Sequence, residues 1–203
     1  MIITIPKGKL MDESIKAFEN AGFDLSISES RKLRIKNGDN EIIIARAMDV
    51  PFYVESYADL GICGTDVIKE RNCDVMMPLQ LKFGKCRLSL CAPKKYKLKD
   101  LNGKKIATKY PNLTSKFFKS HGIDVKIVHL SGSIELAPVM GMADAIVDIV
   151  QTGETIRENG LVELKKVMDV SAALIVNRLS YKIKFDEIRR IMDNMEVFNY
   201  EYE

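Results

Sequence analysis

Short apolar runs alternate with segments of helical periodicity along the whole chain, and this alternation constrains the fold more than any other feature. "MIITIP", "EIIIARA", "ADLGICG", "CRLSLCAP", "KKIATK", "VKIVHL", "ADAIVDIV" and "SAALIVNR" read as strands. Between them, "LMDESIKAFENAG" places Leu10, Ile15, Phe18 and Ala21 at near-helical spacing and stops at Gly22. "TDVIKERN" and "NLTSKFFKSHG" read as further helices. "FDEIRRIMDNM" closes the chain with Phe185, Ile188, Ile191, Met192 and Met195 on one stripe. Asp49 is expected to cap a short helix beside Pro51, and Ser133 to cap another in "SIELAPVMGM". Strands alternating with helices predict an α/β protein with mostly parallel sheets.

The pattern shifts near residues 86–93 and again near 171–177, with no Gly-, Ser- or Pro-rich linker at either place. A second lobe inserted into the first is therefore expected: residues 1–88 with 175–203 form one lobe and 89–174 the other. The chain then crosses between lobes twice, which predicts a ligand cleft between them, at the carboxyl ends of parallel strands.

Composition excludes several classes. With 31 basic and 28 acidic side chains the net charge is +3, without the basic excess of a nucleic-acid protein. Anion binding must come from local placement of cations and backbone N–H groups. Cys63, Cys73, Cys86 and Cys91 show neither a C-x-x-C pair nor histidines at zinc-finger spacing, so core thiols in a reducing compartment are expected and no metal ligands. His121 and His129 lie on different elements and suggest no ligand pair. The serine-hydrolase elbow, the dinucleotide fingerprint and the P-loop are all missing. "MIITIPKGKL" meets a lysine too early for a signal peptide, and no run approaches the ~18 apolar residues of a membrane span. A cytoplasmic protein without membrane contact is expected.

Candidate chemistry lies at strand ends. In "DIVQTGET", Thr152 can cap a helix starting at Gly153, whose leading N–H groups face outward and favour an anion. Asp148 could orient a sugar hydroxyl or hold a magnesium-bound water. An ordinary strand–turn–helix junction explains the same residues, and Glu154 disfavours an anion unless its side chain turns away. Lys7 and Lys9 flank Gly8 at the end of the first strand, where they steer a polyphosphate or simply stand in solvent. Arg46 emerges at the end of "EIIIAR", where a guanidinium needs an acid or a phosphate. "ESRKLRIK" reads as a solvated basic face. Tyr110, after Thr108 and Lys109, either stacks on a base or covers a turn. Glu135 suits the first turn of a helix capped by Ser133.

In their order, "PKGKL", "RAMDVP", "ADLGICGTD", "FGKCRLSLCAP", "KKIATKYPNLT", "GSIELAP", "ADAIVDIVQTGETI" and "SAALIVN" closely resemble the ATP phosphoribosyltransferase family of histidine biosynthesis, from residue 2 to about 177. The resemblance implies a two-lobed fold like that of periplasmic solute-binding proteins. It implies that N1 of ATP attacks C1 of 5-phosphoribosyl 1-pyrophosphate, inverting that carbon and releasing pyrophosphate with Mg²⁺ present. By position it implies that Asp148, Thr152, Gly153, Glu154 and Thr155 hold the sugar donor, and that Arg31 and Arg46 face the triphosphate and leaving pyrophosphate. Lys7, Lys9, Gly61, Gly64, Thr65, Lys109, Tyr110 and Ser133 would line the ATP side. Glu135 or Asp148 would take the proton lost from the adenine amine. The family usually shows arginine where this chain has Lys9, which cannot make the same planar two-point contact. Ending at Glu203, the chain resembles the short form. That form implies a homodimer working with a subunit similar to histidyl-tRNA synthetase. A non-catalytic solute-binding or effector-sensing module of the same shape, and a transferase for another base, are the competing readings.

Overall fold

In the computed structural model, which describes residues 1–25 and 33–201, the chain divides into two units. Unit one comprises Met1–Gly84 and Ser171–Glu203, and unit two Lys85–Val170. The crossings fall at 84/85 and 170/171, a few residues before the expected 88/89 and 174/175. Strand pairing is the reason: from Cys86 the chain bonds into the second sheet, and from Ala172 it bonds into the first.

Unit one is built from β1 (Ile2–Lys7), α1 (Met11–Asn20), β2 (Arg34–Asn37), β3 (Asn40–Arg46), α2 (Val50–Ser56), β4 (Leu60–Gly64), α3 (Thr65–Arg71) and β5 (Val75–Gln80). Unit two follows with β6 (Cys86–Pro93), β7 (Lys105–Thr108), α4 (Pro111–Ser120), β8 (Lys126–His129), α5 (Leu136–Val139), β9 (Ala145–Val150), α6 (Glu154–Glu158) and β10 (Leu161–Val170). The chain returns to unit one as β11 (Ala172–Asn177), α7 (Arg178–Ile183) and α8 (Phe185–Glu201).

The first sheet runs β2-β3-β1-β4-β11-β5 and the second β10-β6-β9-β7-β8. Both are mixed rather than mostly parallel. β1 pairs in parallel with β3 and β4, and β7 with β8 and β9, while β2, β5, β6, β10 and β11 pair antiparallel. The strands absent from the sequence reading (β2, β5 and β10) all lie at sheet edges. An edge strand exposes one side, so its apolar pattern is broken, as by Pro78 in β5 and the lysine pair in β10.

In unit one Ile3, Ile5, Ile42, Leu60 and Ile62 project onto one face, where Phe18 of α1 and Ile188, Ile191, Met195 and Phe198 of α8 cover them. Phe185, expected on that stripe, stays 42% exposed at the helix start. Two proposed caps are also replaced. The Asp49 carboxylate accepts from Arg71 Nη2 at 2.8 Å instead of capping α2. Ser133 adopts φ +48, and its carbonyl, not its hydroxyl, receives the Leu136 N–H at 3.2 Å.

The return of the chain is tied down within unit one. Leu81 N–H donates to Ala172 O at 2.8 Å and Ala172 N–H to Phe83 O at 3.1 Å. Among the described residues no helix is long and apolar enough to cross a membrane.

Candidate functional site

The parallel strands of each unit present their carboxyl ends together, and most of the expected site residues sit there. In unit one the register of β1 with β3 runs from Ile2↔Glu41 to Lys7↔Arg46. Two exposed cations therefore stand side by side at one edge. Gly8 takes φ +106, which a residue with a side chain rarely adopts, and its carbonyl receives the Met11 N–H at 2.9 Å to start α1. Lys9 is exposed in the same turn.

The "GICGTD" segment departs from expectation. Gly61 is enclosed inside β4, where a Cβ would lie 2.8 Å from Thr4 O and 3.0 Å from a Val54 methyl. A Cβ on Gly64 would lie 2.1 Å from Asp66 Oδ1. Thr65 is buried, its N–H donating to Ser171 O at 2.9 Å and its hydroxyl accepting from Ser171 N–H at 3.3 Å. Backbone packing accounts for the bare Gly61, the Asp66 carboxylate lies over Gly64, and Thr65 is held by Ser171. Arg31 lies outside the described residues.

In unit two, β7, β8 and β9 run parallel, with Thr108 level with His129 and Val147. Thr108 is buried: its hydroxyl donates to Val147 O at 2.7 Å and accepts from Tyr110 N–H at 2.9 Å. Tyr110 is 2% exposed, so it covers the turn and offers no face for a base to stack on. Lys109 lies over its ring, with Nζ 5.3 Å from the centroid. Beyond β8, Ser133 is exposed in the left-handed region, a strained conformation for a non-glycine residue, and Glu135 follows at the start of α5.

Beyond β9 the segment 151–155 forms a tight turn. Gly153 takes φ +79 and begins α6, and Glu154 N–H meets the Thr152 hydroxyl at 3.4 Å. The capping residue of α6 is Gly153 rather than the expected Thr152, and no side chain caps the helix. Gln151, Thr152, Glu154 and Thr155 are exposed, and Ile156 anchors the turn in the core with Val150 and Leu161. Asp148 lies across from Ser89 in the adjacent strand.

Sequence reasoning missed the side chains that support this turn. Arg87 forms a two-point pair with Glu163, Nε to Oε1 at 2.8 Å and Nη2 to Oε2 at 2.7 Å, and its Nη1 donates to Gln151 O at 3.1 Å. The Ser89 hydroxyl donates to Glu163 Oε1 at 2.7 Å. The Arg87 hydrogen bond holds the Glu163 carboxyl below its ordinary range against the opposing effect of burial. Burial, then the charges of Glu163 and Asp148, push the neighbouring Cys91 thiol up to about 12, which leaves it unreactive. Arg157 folds back from α6 and donates from Nη1 to Thr152 O at 3.3 Å. The alternation of "CRLSLCAP" puts Arg87, Ser89 and Cys91 on one face, but their partner sits in an edge strand that the pattern hides.

A family model described as ATP phosphoribosyltransferase matches residues 46–197. The ATP phosphoribosyltransferase of Pyrococcus furiosus is 53% identical over 190 residues, covering 93% of each chain. That of Thermococcus gammatolerans is 51% identical over 194 residues and covers 95% of each. Among solved structures, the ATP phosphoribosyl transferase (HisG:HisZ) complex from Thermotoga maritima superposes with TM-score 0.86 at 31% identity, covering 97% of this chain and 98% of that one. The arginine-bound Gly52Ala ArgBP of the same organism, at TM-score 0.63 and 14% identity over 98% of this chain and 95% of its own, shares the two-lobed α/β fold alone.

Proposed function

Because this chain belongs to the ATP phosphoribosyltransferase family, we propose that the residues at its two carboxyl edges carry out the family reaction. That reaction transfers the phosphoribosyl group of 5-phosphoribosyl 1-pyrophosphate to N1 of ATP, giving N1-(5-phosphoribosyl)-ATP and pyrophosphate in the first step of histidine biosynthesis. The observation that supports the assignment is that, where its parallel strands end, unit one exposes cations and unit two presents the half-buried Lys109 and the hydroxyl-bearing turn 151–155, groups of the kind that bind phosphate.

Asp148, Thr152, Gly153 and Thr155 hold the ribose and its 5-phosphate, the amides and hydroxyls of the turn receiving the phosphate oxygens. Glu154, exposed in the first turn of α6, directs its carboxylate to solvent. Lys7, Lys9 and Arg46 neutralise the triphosphate and the departing pyrophosphate, with Arg31 joining them through its place in the family pattern. Lys109 and Ser133 serve the ATP side from unit two. Gly61, Gly64, Thr65 and Tyr110 shape the scaffold.

The attacking adenine nitrogen carries its own lone pair, so no activated side-chain nucleophile is needed. Barrier lowering comes from positioning two substrates and neutralising charge that develops on the leaving group. Glu135, or Asp148, accepts the amine proton. The family reaction implies a divalent ion, which we take to be Mg²⁺. Among the described residues no group of three or more His, Cys, Asp or Glu side chains could hold a metal. Asp148 would hold a water bound to the ion, whose other oxygens would come from substrate phosphates. When bound, the ion supplies further charge neutralisation to the pyrophosphate.

The likeness to the HisG:HisZ complex supports assembly of this chain with a partner subunit; we take that partner to be a regulatory subunit similar to histidyl-tRNA synthetase, the core to be a homodimer and the compartment to be the cytoplasm. The test is formation of N1-(5-phosphoribosyl)-ATP from both substrates and Mg²⁺, with and without that subunit. No product under either condition overturns the reading.

A further inference from the structure

We propose that Arg87, braced by Glu163 and Ser89, is a positioning residue that aims the backbone amides of the 151–155 turn at the sugar donor's phosphate. The inference rests on the assignment of that turn as the donor site. A trans peptide points its C=O and N–H in opposite directions. By donating from Nη1 to Gln151 O at 3.1 Å, Arg87 therefore turns the Thr152 N–H to the far side of the chain. Arg157 does the same one peptide on: its bond to Thr152 O at 3.3 Å turns the Gly153 N–H away from its own guanidinium. Two cations thus hold two successive carbonyls of the turn, and the N–H groups of Thr152 and Gly153 point away from them, where an anion can receive both.

Arg87 is itself aimed. Its Nε and Nη2 donate to the two oxygens of Glu163, and the Ser89 hydroxyl donates to one of those oxygens at 2.7 Å. The network joins three adjacent strands, because Arg87 and Ser89 lie on β6, Glu163 on β10, and β9 leads into the turn. Gly153 must stay bare for the same arrangement. A Cβ there would lie 3.2 Å from Arg157 Nη1, besides being strained at φ +79.

The experiment compares the KM for 5-phosphoribosyl 1-pyrophosphate with the KM for ATP in Arg87→Lys, Glu163→Gln and Gly153→Val, each assayed with the regulatory subunit present. A lysine keeps the charge but cannot bridge a carboxylate and a carbonyl. Arg87→Lys and Glu163→Gln are expected to raise the KM for the sugar donor about tenfold, which is ~1.4 kcal/mol, and that for ATP less than about twofold. Should Arg87→Lys fail to fold, the milder Glu163→Gln and Ser89→Ala carry the comparison. If Gly153→Val raises the donor KM selectively while the Arg87, Glu163 and Ser89 variants leave both constants alone or raise them equally, the positioning role is overturned and the loop assignment stands. If Gly153→Val is equally without selective effect, the loop assignment itself fails.

Discussion

Lys7 and Arg46 are register partners, the last residues of two parallel strands and neighbours at one edge of the first sheet. Both side chains are exposed, and the apolar residues of their strands lie behind them in the core. Arg46→Lys should therefore lower turnover by about tenfold or more, since a lysine loses the planar fork. The melting temperature should move by no more than about 2 °C, because exposed substitutions shift stability little. A kinetic assay beside a thermal melt checks this, and a large fall in melting temperature with unchanged turnover would make Arg46 structural.

Tyr110 carries the opposite expectation. Being 2% exposed, it should act through packing: Tyr110→Ala should cost about 3–5 kcal/mol. Tyr110→Leu, which keeps an apolar body but has no ring to stack on a base, should leave the KM for ATP unchanged. Denaturant unfolding and ATP kinetics of the two variants separate packing from base stacking, and a selective rise in the ATP constant of Tyr110→Leu would restore the stacking role.

Thr4 lies at the centre of β1 with its hydroxyl oxygen buried and, among the described residues, lacking a hydrogen-bond partner. A valine fills nearly the same volume and removes the unsatisfied group. Thr4→Val should stabilise the protein by about 1 kcal/mol in chemical denaturation. A measured loss would show that the hydroxyl is satisfied in solution.

Asp59 ties the return of the chain to the first sheet. Its carboxylate receives the Ile2 N–H at 2.8 Å, the Ser180 hydroxyl at 2.6 Å and Lys184 Nζ at 2.8 Å. Burial pushes its pKa up, but the bonds from Lys184, Ser180 and Ile2 outweigh that and hold it below the ordinary 3.8. A group whose folded pKa is depressed stabilises the fold above its unfolded pKa, and that contribution is lost as pH falls through the folded value. Melting temperature should accordingly fall as pH drops below about 4. Asp59→Asn should melt lower at neutral pH and show a shallower acid limb; an unaltered limb would assign the acid sensitivity to other carboxylates.

How much of this was legible in the sequence depended on burial. Strands enclosed on both faces, such as β3 and β4, and helices with one apolar stripe, such as α8, announce themselves by composition and period. β2, β5 and β10 did not, because at an edge only part of each strand meets the core. The loss of β10 hid Glu163, and with it the reason for Arg87. Glycines misled for a related reason. Gly61 and Gly153 look alike as letters, yet one makes room for a neighbouring carbonyl and the other turns the chain.

The sequence by itself determined the alternating α/β order, the inserted second unit and membership of the family. These follow from local periodicity and from ordered motifs, which are properties of the chain read along its length. Only the tertiary structure decided that Lys7 stands beside Arg46, that Tyr110 is enclosed, and that Arg87 reaches Gln151. Each of these joins residues far apart in the chain. Strand register brings them together, and register is set by which side chains fit opposite one another across a sheet.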